Sequence, residues 1–193
     1  VCLSELGRRE EARIYAEQYP ERNRFGREDL LTFCLTGEEL IRHRQEEIKT
    51  ALENLCGVLT NVWSPDAVLA SEAVIRSLIP DGNYVIFHET LARLTIELAK
   101  YLTREGRHAE AVAALEKAKY HSQEYDRIDL PENRGVYRFT APLLDHVECD
   151  TRKRCVSGTS SMTADFYEYH LPDAVFDPLR ERGDFRKLLE REG

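Results

Sequence analysis

An excess of basic residues is the first thing this sequence lacks: 27 Lys and Arg stand against 35 Asp and Glu, a net charge of −8. A surface that binds nucleic acid by releasing counterions needs a basic face, so the composition argues against direct DNA or RNA binding by the chain. Its one tight basic cluster, Arg152-Lys153-Arg154, falls in an expected loop, where three such charges are ordinarily solvated. Long apolar runs are missing too. Nothing approaches the roughly 20 residues of a membrane-spanning helix, and no signal-peptide pattern opens the chain, so no membrane partner and a cytoplasmic location are expected. Cysteine is sparse and odd in number, at Cys2, Cys34, Cys56, Cys149 and Cys155. A core of this size needs no disulfides, which fits a reducing compartment. With 10 Gly and 7 Pro in 193 residues, turn formers are few, and they cluster between long periodic stretches. This is the punctuation of a helical chain.

Hydrophobic residues make up 42% of the chain and charged residues 32%, enough apolar surface for one core under a well-solvated exterior. The first segment, Val1 to Tyr19, is helical and broken at Gly7, and a short helix follows over Glu28 to Leu35. Thr36-Gly37-Glu38-Glu39 has the form of a capping box. It opens the longest helix, Gly37 to Val62, along which Ile41, Ile48, Leu52, Leu55 and Leu59 form a stripe. Ser64-Pro65 reads as an N-cap with Pro at the first helical position, and that helix ends at the turn Pro80-Asp81-Gly82-Asn83. Leu91, Leu94, Leu98 and Leu102 line the next helix. After Gly106, Ala111, Leu115 and Ala118 line its partner, which fades near Tyr125. Further on, a helix is expected around Pro142 within Val136 to Cys149, and Asp150 to Ser161 has no periodicity. Short helices over Ala164 to His170 and Asp184 to Arg191 close the chain. No strand is expected. The β-favouring run Tyr84-Val85-Ile86-Phe87 leads straight into a helical stripe and reads as a helix start.

Internal repetition sets the expected architecture. Gly106-Arg-His-Ala-Glu-Ala111 echoes Gly7-Arg-Arg-Glu-Glu-Ala12. The Gly permits a tight turn between antiparallel helices, and the Ala lets the second helix lie close to the first. Around Gly106 the chain resembles the tetratricopeptide repeat: Leu98 and Ala99 match its Leu-Gly pair, Leu102 its aromatic position, and Ala111 and Ala118 its small residues. Gln123 stands where the repeat closes with Pro. A wider resemblance rests on five features. They are Thr36-Gly37-Glu38-Glu39 with Gln45, Ile79 to Tyr84 followed by Phe87-His88-Glu89, the Gly106 hairpin, Phe176-Asp177-Pro178-Leu179-Arg180, and Phe185. In these the chain is similar to the tetratricopeptide-like C-terminal halves of bacterial, chiefly Firmicutes-type, regulators that begin with a Cro/repressor-like helix-turn-helix. That resemblance implies an all-α fold of stacked antiparallel helical hairpins, an α-solenoid, spanning residues 1–193 as one domain. It implies a helical half that receives a peptide or protein signal or forms a homodimer, and contact with DNA only through an N-terminal domain upstream of Val1. No helix-turn-helix pattern lies within the chain itself.

Catalytic constellations are weak. His88-Glu89 would need a second His at position 92 to make a zinc-protease helix, and Ala92 stands there. His146, Cys149 and Cys155 could converge on a metal with Asp145 or Asp150, but they lack the tight Cys-x2-Cys pairs of structural zinc sites. Ser157-Gly158-Thr159-Ser160-Ser161 lacks the Lys of a phosphate-binding loop. No enzyme, metal or cofactor is expected. A peptide-binding groove on the concave face made by the first helix of each pair is expected instead, with Asn54, Asn61, Tyr84, His88 and Arg93 as candidate contributors.

Overall fold

A computed structural model describes residues 2–18, 27–60, 64–153 and 161–190. It is mostly helical, with one small two-stranded sheet. The helices are α1 (Cys2–Glu5), α2 (Arg9–Glu17), α3 (Arg27–Cys34), α4 (Gly37–Thr60), α5 (Pro65–Leu78), α6 (Phe87–Arg104), α7 (His108–Asp129), α8 (Met162–Asp165) and α9 (Gly183–Leu189). None is long and apolar enough to cross a membrane among the described residues.

Sequence punctuation places these helices. The Ser64 hydroxyl accepts the Ala67 N–H at 3.1 Å and Pro65 occupies the first helical position, so α5 starts as its cap predicts. The repeated Gly-Arg-x-x-Glu-Ala motif takes one local geometry twice. Gly7 and Gly106 lie at φ 76° and 73°, where a residue with a Cβ is strained. At each, the Gly N–H bonds back three residues and the following Arg N–H bonds back five (Arg8 to Leu3 at 2.9 Å, Arg107 to Leu102 at 2.8 Å). This is the Schellman closure of a helix end. Arg8 then pairs with Glu11, Arg107 with Glu110, and Ala12 and Ala111 are both buried.

Two apolar clusters hold the elements together. Leu52 and Cys56 of α4, Ile75 of α5, and Phe87 and Leu91 of α6 enclose the first, which also takes in Phe139, Leu144 and Val147. The second joins Ile96, Ala99 and Leu102 of α6 to Ala111, Leu115 and Ala118 of α7, closed by Phe166, Phe176, Leu179 and Phe185. Each of these fully buried aromatic rings contributes roughly 1.5–3 kcal/mol of burial. The Leu102, Ala111 and Ala118 positions of the repeat pattern are therefore the seam along which α6 and α7 pack.

The region expected to hold a helix around Pro142 does not. Strands β1 (Val136–Arg138) and β2 (Glu148–Asp150) pair antiparallel there, Tyr137 opposite Cys149, joined by turns that contain Pro142. Pro142 lacks the N–H that a helix interior requires, and the segment is fastened from outside. Buried Gln45 of α4 donates to the Pro142 carbonyl at 3.2 Å and to Asp145 Oδ1 at 2.8 Å, and it accepts the His146 N–H at 2.7 Å. Asn83, at the Pro80–Asn83 turn, donates to the Arg138 carbonyl at 2.9 Å and to Thr140 at 2.9 Å. The closing segment departs from regular α-helix: α8 runs into a π-helical stretch, Phe166–His170. Buried Asp126 of α7 receives that segment, accepting the N–H groups of Met162 at 2.7 Å and Thr163 at 3.0 Å.

Candidate functional site

Two faces of α6 carry the residues of interest. Helical spacing brings Glu89, Thr90 and Arg93 round to the side that meets α4. With Glu53, Cys56 and Gly57 of α4 and Ile86 and Phe87 at the start of α6, they line an open groove of about 340 Å³. Phe87 and Cys56 are almost fully buried and make its floor apolar. The Cys56 thiol is pushed up to about 11, chiefly by burial and secondarily by the neighbouring Glu53 carboxylate. At neutral pH it stays protonated and inert, a small apolar wall. Charge sits at the rim. Arg93 pairs with Glu89 at 3.0 Å one helical turn away, while Glu53 makes no ion pair with a described residue.

On the other side of α6, His88 meets His121 of α7, with Nδ1 to Nδ1 at 2.9 Å. Both rings are buried, edge-on to Tyr84 and Tyr120, with ring centroids 5.1–6.0 Å apart. One Nδ1 must donate and the other accept, so at least one ring is neutral whenever the contact is closed. Burial pushes His88 down to about 4, helped by the His121 ring beside it. His121 is also pushed down to about 4, by burial first and then by the charges of Arg76 and Lys117. Between the two faces lies Val85, a β-branched residue at φ 47°. That conformation costs about 1–3 kcal/mol and persists only where neighbours enforce it. Tyr84 before it meets both histidine rings edge-on, and Ile86 after it lines the groove.

The five residues expected to line one groove separate accordingly. Arg93 lines it. Asn54 is exposed on α4 next to Glu53 but is not among the lining residues, and Asn61 falls outside the described residues. Tyr84 and His88 are buried toward α5 and α7, so they shape α6 from behind rather than face a ligand. His88 thus packs on α7 while Glu89, the next residue, turns to the groove. His146 bonds to the adjacent Asp145 at 2.8 Å, Cys149 is buried in β2, and Cys155 lies outside the described residues, as do Ser157 to Ser160. Among the described residues no group of three or more His, Cys, Asp or Glu side chains is placed to hold a metal ion.

Sequence reasoning missed Glu53, Cys56, Gly57 and Thr90 as groove residues, and His121 as the partner of His88. For the groove a signal exists: a Cys-Gly pair interrupts the apolar stripe of α4, and small residues there leave space beside the next first helix. For the histidines there is none, since 33 residues separate them and only the packing of α6 on α7 joins them. Comparison with family models, with curated proteins and with solved structures gives no match.

Proposed function

We propose that this chain is the peptide- or protein-receiving half of a DNA-binding transcriptional regulator, built as stacked tetratricopeptide-like hairpins. The observation that carries the receptor part is the groove between α4 and α6, each the first helix of its hairpin. First helices lining a shared concave face are what such stacks use to hold extended or helical peptides. An apolar floor bounded by a few polar groups suits a peptide whose side chain enters the groove while its polar groups meet the rim. The regulator part rests on the family resemblance, and the homodimer that the resemblance implies belongs with it.

Gly57 offers the direct test of the receptor part. A Cβ built there meets nothing within 4 Å, so Gly57→Leu places its side chain in the groove without displacing the core. The chain is challenged with a displayed library of short random peptides, and bound sequences are re-measured against the variant. Peptides that bind saturably to the natural chain and lose at least about tenfold against Gly57→Leu support the receptor reading. Binding that ignores the substitution removes it. The regulator part is checked on the gene: codons upstream of Val1 that encode a helix-turn-helix support it, and an unrelated domain leaves an interaction scaffold without a DNA role.

A further inference from the structure

The charges at the groove rim are unequal in what they still lack, and that inequality selects a ligand. Arg93 is the cationic lining residue, and its guanidinium is already held by Glu89 at 3.0 Å. Glu53 stands at the opposite wall, exposed and without an ion pair to any described residue. It is close enough to the buried Cys56 thiol to disfavour thiolate formation. An incoming carboxylate would face Glu53 directly and would have to compete with Glu89 for Arg93. An incoming ammonium or guanidinium meets an uncompensated carboxylate and disturbs no existing pair. Beside that carboxylate, Cys56, Ile86 and Phe87 present an apolar floor with room above Gly57. The chain as a whole, at −8, reinforces attraction of a cation at long range.

We propose that this groove selects a peptide segment carrying a Lys or Arg next to an aliphatic or aromatic side chain, the cation on Glu53 and the apolar group on the Cys56–Phe87 floor. The proposal rests on the receptor reading above and adds the chemistry of the ligand. Glu53 lies on the exposed side of α4, so its substitution leaves the core intact, and circular dichroism of each variant checks this. The peptides recovered from the random displayed library, restricted to those lost with Gly57→Leu, serve as probes. Their fluorescence anisotropy is read against the natural chain, Glu53→Gln and Glu53→Lys, in low and high salt. The expected result is enrichment of adjacent basic and apolar residues. Affinity should fall about two- to fivefold with Glu53→Gln and further with Glu53→Lys, and both losses should shrink in high salt. Groove-dependent peptides without Lys or Arg, or low-salt affinities unmoved by Glu53→Gln, overturn the ligand assignment and leave the receptor reading standing. A library that yields no groove-dependent peptide overturns both.

Discussion

Two neutral imidazoles bonded to each other inside a protein make its stability depend on protons in a defined direction. His88 and His121 are held near 4 in the fold, whereas a solvated histidine titrates near 6.5. Below that higher value the unfolded chain binds protons that the native pair refuses, so stability falls as pH drops from about 6.5 toward 4. The first proton can be shared across the Nδ1···Nδ1 contact. The second cannot, because both nitrogens would then carry hydrogens facing each other at 2.9 Å. Half-buried His170 is also pushed down, chiefly by desolvation, and contributes in the same direction. Urea unfolding measured from neutral pH downward should show a falling midpoint, and the double substitution His88→Leu with His121→Leu should remove most of that slope. A midpoint flat down to about pH 5 would mean that the pair is not neutral and closed in solution.

At the level of the element, the same substitution should have opposite signs in two helices. Gly57 sits inside α4 in helical conformation with open space where a Cβ would go, so Gly57→Ala should stabilise by about 0.5–1 kcal/mol. Gly106 closes α6 at φ 73°, so Gly106→Ala should destabilise by roughly 1 kcal/mol although its Cβ also meets nothing. Denaturant midpoints of the two variants settle the signs. The contrast also explains what could be read from the sequence. Gly106 and Gly7, each followed by Arg and then Glu-Ala, announced a helix-ending turn, and the fold uses both in the same way. The caps at Ser64 and the turn at Pro80–Asn83 were legible for the same reason: each is a local bond between near neighbours. The β1–β2 hairpin was not legible. Three-residue strands are too short to show alternation, and the segment owes its shape to Gln45, about a hundred positions earlier, and to Asn83. The site divides along the same line. Arg93 could be picked from helical spacing, but the side to which Tyr84 and His88 turn depends on α7, through contacts no local pattern encodes.

For the whole molecule, the charge balance bears on DNA more directly than any single residue. Described arginines and lysines are largely engaged: Arg76 with Glu72, Lys100 with Glu97 and Asp173, Arg127 with Glu124, Arg152 and Lys153 with Asp150, Arg182 with Asp184. The sequence's tight basic cluster is thus partly neutralised at its base, with Asp150 pulled down to about 2 mainly by its bond to Arg152. To bind a duplex, these cations would have to leave their carboxylates while about 35 acidic side chains repelled the phosphates. The 193-residue chain alone should therefore show no binding to a labelled DNA duplex at physiological salt, with a dissociation constant weaker than about 10⁻⁴ M. Anisotropy titrations repeated at low salt decide the matter. Micromolar binding whose logarithm falls steeply with the logarithm of salt concentration would reveal a phosphate-contacting face on these helices and move DNA recognition into the chain itself. Absence of binding leaves the α4–α6 groove, and not a phosphate-contacting face, as the feature on which the proposed function of this chain rests.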